Sequence, residues 1–126
     1  WTIWREGAEH MQLAEGYELL QTQYCSVCST DLARRFLPYP LPQITGHEVI
    51  ARRQDKFVAL EINASHKARG HAQALSCRFC CSGLDTQCPQ RITLGINQLP
   101  GGFAPWVLAP TAACIPVPAS VDPLVA

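Results

Sequence analysis

The sequence has no net charge of either sign: ten Lys and Arg balance ten Asp and Glu, and the isoelectric point sits near 7. Without an electrostatic footprint a chain does not recruit nucleic acid or an anionic membrane surface, so neither partner is expected. Its basic pairs, Arg34-Arg35 and Arg52-Arg53, are too short to supply such a footprint and read as solvated ends of elements. Long apolar runs are missing as well. No stretch approaches the roughly 20 residues that cross a bilayer, and the mixed, charged segment from Trp1 to Glu9 lacks the apolar centre of a secretory signal. A soluble, cytoplasmic setting is therefore expected. No Gly-x-Gly-x-x-Gly occurs, which removes the usual dinucleotide-cradling turn. There is no internal repeat and almost no long helical periodicity, so the expected class is mainly β with irregular loops and short helices.

Cysteine is what the chain has in excess. There are seven, an odd number that closes no complete disulfide framework, and four of them fall between positions 77 and 88. In a cytosolic setting such clustering points to metal. With 126 residues, 48% of them hydrophobic, the chain can bury a modest core, and a single domain over 1–126 is expected.

Along the chain, imperfect alternation predicts a strand over Tyr17–Gln23, followed by a strand end and turn through Tyr24–Asp31. A short helix is predicted over Asp31–Phe36, capped by Thr30 or Asp31. Leu37-Pro38-Tyr39-Pro40-Leu41-Pro42 loses a backbone donor at every second position and must be an extended loop. Val49–Arg53 and Phe57–Ile62 are β-branched and apolar enough for strands, joined by a turn at Gln54-Asp55-Lys56. Asn63–Ser76 reads as a polar surface loop. A further strand is expected at Phe103–Ala109, after the Gly101-Gly102 turn, and Cys114–Pro118 closes the ordered part.

Two constellations carry chemistry. Cys28, His47 and Glu48 bring a thiolate, an imidazole and a carboxylate from two loops, all ordinary zinc ligands, with Gly46 easing the turn. Such mixed sites tend to keep a position open for water or substrate, and Thr30 places a hydroxyl where a proton must leave. The residues leave open a plainer reading, with Cys28 a small buried hydrophobe and His47 a satisfied loop histidine. Cys77-Arg78-Phe79-Cys80-Cys81-Ser82-Gly83-Leu84-Asp85-Thr86-Gln87-Cys88 is the compact spacing of a zinc loop, two thiolates one helical turn apart and a third further on. The alternative is a redox pair at Cys77/Cys80 or Cys80/Cys81, which normally needs a βαβ setting.

These segments resemble the zinc-dependent medium-chain alcohol dehydrogenases. Val27-Cys28-Ser29-Thr30-Asp31 is similar to their Gly-Ile-Cys-Gly-Thr-Asp, Gly46-His47-Glu48 to their Gly-His-Glu, Cys77–Cys88 to their structural zinc lobe, and Gly101-Gly102-Phe103-Ala104-Pro105-Trp106 to their Gly-Gly-Phe-Ala-Glu-Tyr. The likeness runs in order from about Glu15 to the C-terminus. It implies the GroES-like catalytic domain, a partly open β-barrel, with residues 74–88 as the structural zinc lobe and no dinucleotide-binding (Rossmann) domain in the chain. By resemblance, Cys28 and His47 hold a catalytic zinc, Glu48 is a ligand or close partner of one, and Thr30 starts a proton relay. Cys77, Cys80 and Cys88 hold a second zinc.

The sequence also departs from the pattern. The first of the lobe's four cysteines falls on Ala74, so one thiolate is missing. His66 and His71 lie upstream and either could supply an imidazole, while Cys81 is a spare thiol; the lobe is expected to complete its set with His71 or Cys81. Gln54 stands where a glycine is expected in a shortened hairpin, Ser29 replaces a glycine and Pro105 a glutamate. Read without gaps, the sequence ends before the segment that gives the third catalytic ligand; a gapped reading makes Asp122 that ligand. The resemblance implies the catalytic-domain portion of a zinc-dependent, NAD- or NADP-linked oxidoreductase of small alcohols or carbonyls, inactive without a cofactor-binding domain or partner. The other reading is a stand-alone, non-catalytic zinc-binding domain or a relic, with self-association through the uncovered face.

Overall fold

A computed structural model of the chain describes residues 2–5, 9–13, 15–39 and 44–126. Its main feature is a five-stranded antiparallel sheet that curls into half a barrel. In chain order its members are β3 (Tyr17–Ser26), β4 (Glu48–Arg53), β5 (Lys56–Leu60), β9 (Trp106–Pro110) and β10 (Cys114–Pro116), in the spatial order β10-β5-β4-β3-β9. A smaller sheet joins β6 (Asn63–Ala64), β7 (Ile92–Leu94) and β8 (Gln98–Leu99), and β1 (Thr2–Arg5) pairs with β2 (Glu9–Gln12) as a hairpin. Among the described residues the two α-helices, α1 (Ser29–Leu32) and α2 (Arg78–Cys81), are single turns. The partly open, mainly β barrel expected from the sequence is thus present.

The core lies inside the curl. Leu20, Val49, Ala51, Val58, Leu60, Val107 and Ala109 point inward from the large sheet, and Leu94 and Leu99 close over them from the small one. Inward positions alternate as strand geometry requires. The alternation in β3 changes phase at one place. Thr22 pairs with Ala51 but Tyr24 with Ile50, so Gln23 is an extra residue, a bulge. Before it the inward residues are Leu20 and Thr22; after it the inward residue is Cys25.

Several local expectations need correction. The helix after the first strand begins at Ser29 rather than Asp31, because Cys28, not Thr30 or Asp31, is its N-cap; Asp31 sits at the third helical position and its carboxylate accepts the Cys28 backbone N–H at 3.0 Å. Arg34–Phe36 is a separate 3-10 turn. The strand expected over Tyr17–Gln23 runs on to Ser26, and the final strand stops at Pro116. The strand expected over Phe103–Ala109 begins only at Trp106 and ends at Pro110. Asn63–Ser76 is not a surface loop throughout: Asn63–Ala64 is a strand, and Ala64, Ser65 and His66 are buried. Of the proline-rich loop, Leu37–Tyr39 are bends and residues 40–43 lie outside the described residues.

The β4–β5 hairpin is closed by Gln54 and Asp55, with Arg53 opposite Lys56. Gln54 has φ +56°, the left-handed position that glycine usually takes in so short a turn. A side chain there costs roughly 1–2 kcal/mol, of which glycine's greater freedom in the unfolded chain gives back part. Gln54→Gly is expected to raise stability by about 0.5–1 kcal/mol, read as a higher urea midpoint at unchanged slope. An unchanged or lower midpoint would show that the turn is not strained.

Candidate metal centres

Among the described residues, two groups of side chains place possible metal ligands within 4.8 Å of one another: Cys28, His47 and Glu48, and His66, Cys77, Cys80 and Cys88.

The first group is assembled where β3 ends and β4 begins. Ser26 lies opposite Glu48 in the ladder, so Cys28 and His47 emerge side by side from neighbouring strands. The loop bearing His47 is clamped from outside. Gly101 N–H donates to Ile44 O at 2.8 Å, Gly102 N–H to Gly46 O at 2.8 Å and Phe103 N–H to Thr45 O at 3.0 Å. The clamp requires glycine on both sides. Gly46 has φ +92°, and a Cβ there would meet Cys25 Sγ at 2.6 Å and Phe103 N at 2.9 Å.

Asp31 ties the group together. One carboxylate oxygen takes the Cys28 N–H, while the other accepts the Gly46 N–H at 3.2 Å and stands 3.4 Å from His47 Nδ1. At that spacing His47 Nδ1, though buried, is off the line of a hydrogen bond. It lies within electrostatic range, and a small rotation of the ring completes the contact. With Nδ1 turned to a carboxylate, Nε2 is the nitrogen left to act as a ligand. The Cys28 thiol lies below the ordinary cysteine range, because the Thr30 backbone N–H and then the Thr30 hydroxyl point at its sulfur, with His47 adding to the effect. Burial pushes the neighbouring Cys25 up to about 11, and the Asp31 and Glu48 carboxylates add to the shift.

The donor set suits zinc: one sulfur, one imidazole nitrogen and one carboxylate, with His47 buried and Glu48 exposed. Three protein ligands with an exposed side describe an open site. Asp122, the alternative ligand, instead accepts the Leu124 N–H at 2.9 Å and is not in the group. Sequence reasoning placed Asp31 only as a helix cap. Its spacing three residues after Cys28 was the signal that the same carboxylate could serve both ligand loops.

The second group is tighter. Cys77 Sγ lies 3.7 Å from Cys80 Sγ and 3.9 Å from Cys88 Sγ; His66 Nδ1 lies 3.3 Å from Cys88 Sγ and 3.6 Å from Cys80 Sγ. A tetrahedral ion with bonds of roughly 2.3 Å to sulfur and 2.0–2.1 Å to nitrogen needs edges of about 3.8 Å between sulfurs and about 3.6 Å from nitrogen to sulfur. The cluster already has that size. The Cys77 thiol is drawn down to about 6, chiefly by the Cys80 backbone N–H, with the Cys80 thiol and His66 adding to the fall; burial pushes Cys80 up. His71 and Cys81, expected to complete the set, are not in the group. Both are exposed and line a surface hollow of about 390 Å³, with Cys81 Sγ facing Gln73 O and Ser76 O at 3.8 Å.

Residues 14–119 match the family described as the alcohol dehydrogenase GroES-like domain. The chain belongs to that family. As a member of the GroES-like family it is 27% identical over 130 residues to an alcohol dehydrogenase of Geobacillus stearothermophilus, an alignment that covers 92% of this chain and 36% of that one. Among solved structures the GroES-like chain is similar to AibC, with TM-score 0.73, 26% identity and coverage of 91% of this chain and 34% of that chain. It is also similar to the acetophenone reductase of Geotrichum candidum in complex with NAD, with TM-score 0.68, 26% identity and coverage of 89% and 35%. This GroES-like chain therefore spans about a third of the length of the relatives it matches. No helix among its described residues is long and apolar enough to cross a membrane.

Proposed function

We propose that this chain is the catalytic-domain portion of a zinc-dependent, nicotinamide-linked oxidoreductase of small alcohols or carbonyls. The carrying observation is the convergence of Cys28, His47 and Glu48 at an open edge. Zinc bound there supplies Lewis acidity, which lowers the pKa of an alcohol. The residues divide the remaining work. Cys28 and His47 hold the ion from two strands that the sheet keeps in register. Asp31, 3.4 Å from the opposite ring edge, would orient His47 and stabilise its basic ligand nitrogen once the ring turns to meet it. Glu48, at the exposed rim, is a third donor or a flexible partner of the open position. Thr30 would accept a proton from a hydroxyl in that position and pass it outward.

Hydride transfer needs an acceptor held against the reacting carbon, and a dinucleotide-binding partner or further domain is required for turnover. The NAD of the acetophenone reductase complex supports nicotinamide as that acceptor. No nucleic acid or membrane partner is proposed. Self-association through the exposed apolar residues near the site, among them Val27, Leu32 and Phe103, is compatible with this reading.

The zinc content tests it. Purified protein is expected to hold two zincs per chain and Cys28→Ser one. With an alcohol panel and NAD or NADP, the isolated chain is expected to give no reduced cofactor. A Cys28→Ser protein with as much zinc as its parent would overturn the assignment of Cys28. Turnover by the isolated chain would overturn the need for a cofactor-binding partner.

A further inference from the structure

The metal lobe departs from the four-thiolate pattern at Ala74, which lies exposed in the 3-10 turn Gln73–Leu75 and can donate nothing to a metal. The fourth corner of the cluster is occupied by an atom from outside the lobe. We propose that the lobe binds zinc through Cys77, Cys80, Cys88 and Nδ1 of His66, and that the ion thereby fastens the lobe to the small β-sheet instead of only closing the lobe on itself.

Three observations support this. The first is size: two sulfur–sulfur and two nitrogen–sulfur separations lie close to the edges of one tetrahedron, and all four donor atoms fall within 4.8 Å of one another. The second is the direction of the imidazole. His66 Nδ1 is the ring nitrogen turned toward the lobe, with Cys80 Sγ and Cys88 Sγ within 3.6 Å and the Cys77 backbone N–H donating to it at 3.4 Å. The third is burial. His66 is 4% exposed, Cys80 9% and Cys88 0%, whereas the competing donors His71 and Cys81 face solvent.

His66 belongs to the body of the fold. It follows β6 by two residues, and β6 pairs with β7 through Asn63–Thr93 and Ala64–Ile92. Ser65, beside it, donates to Asp85 at 3.3 Å and accepts the Ala68 N–H at 3.3 Å, which fixes the backbone from which His66 projects. A ligand on this edge makes the ion a second tie between the lobe and the small sheet, beside the Ser65–Asp85 hydrogen bond. Three thiolates and a neutral imidazole also leave the loaded site one negative charge, not the two of a four-thiolate site.

The inference does not depend on the catalytic reading, and the test keeps the two apart. Cys28→Ser protein loaded with zinc should retain the lobe ion alone. X-ray absorption should then show three sulfurs at roughly 2.3 Å and one nitrogen at roughly 2.0–2.1 Å, with the outer-shell scattering of an imidazole ring. Four sulfurs, no imidazole scattering, or no zinc in that protein overturns the inference. In the parent, His66→Ala should weaken lobe zinc by more than the 10–100-fold, roughly, that loss of an outer partner costs. His66→Cys should restore binding with a four-sulfur shell, and His71→Ala and Cys81→Ser should leave it unchanged. Parent-like affinity in His66→Ala overturns the inference. Should that variant fail to fold, the absorption measurement, made with His66 in place, still decides.

Discussion

Alanine at position 101 is expected to cost the fold about 3 kcal/mol or more and to empty the Cys28–His47 group of its metal. A Cβ at Gly101 would sit deep inside contact distance of the Thr45 and Gly46 carbonyl oxygens. Overfilling a packed site usually costs about 1–3 kcal/mol because side chains can shift. Here the obstacles are backbone atoms, and neither is free. Thr45 O accepts the Phe103 N–H and Gly46 O accepts the Gly102 N–H, so yielding breaks hydrogen bonds worth about 1 kcal/mol each. It also displaces the residue before His47. Gly70→Ala is the comparison: its φ is +74°, but nothing lies within 4 Å, so only the roughly 1–2 kcal/mol cost of a left-handed side chain applies. Denaturant titration and zinc analysis of both variants check this. Equal losses at the two positions would mean that the clamp on the His47 loop does not matter.

Chelation is expected to have the other large effect, and a local one. The segment from His66 to Arg91 buries little apolar surface of its own: Leu75 and Leu84 are exposed, and the buried residues are mainly cluster members and their neighbours. Helix α2 and the turns at Gln73–Leu75 and Asp85–Gln87 are too short to be stable alone. In small metal-dependent domains the ion supplies an apparent 10–16 kcal/mol, roughly, part of it folding energy. Removing zinc should therefore abolish amide protection within the lobe, between about residues 74 and 88, while β3, β4 and β9, which pack the apolar core, keep theirs. Hydrogen exchange with and without a strong chelator measures it. Protection in the lobe that survives complete zinc removal would contradict a metal-held lobe.

How much of this was legible in the sequence follows from the kind of signal each residue left. The β4–β5 hairpin was readable because Val49, Ile50, Phe57 and Val58 flank a short polar turn, and side chains in such strands announce themselves. The pairing of Cys28 with His47 was readable only through motif order, since the ladder contact that unites them is long-range. The β1–β2 pairing is not legible because charges interrupt its pattern. The burial of His66 is not legible in the sequence because Ala64 and Ser65 are small, and burial of small residues leaves no hydrophobic period to detect. The left-handed Gln54 was anticipated as an anomaly; its geometry could not be, because nothing in a glutamine predicts positive φ.

The bulge at Gln23 has a consequence for how this sequence can change in length. Inward-facing positions of β3 are even-numbered before it and odd-numbered after it, so Cys25 reaches the interior only because one residue has been slipped into the count. Losing any single residue between Leu20 and Cys25 would return the strand to its first phase and turn Cys25 outward, or else drag the Cys28 turn one position back from His47. The Gln54-Asp55 end of the same sheet carries no such constraint, and an added glycine there would relieve its turn. Heritable gains of a single residue are therefore tolerated at one end of this sheet, whereas single losses are filtered out at the other, the end that holds the Cys28 thiol.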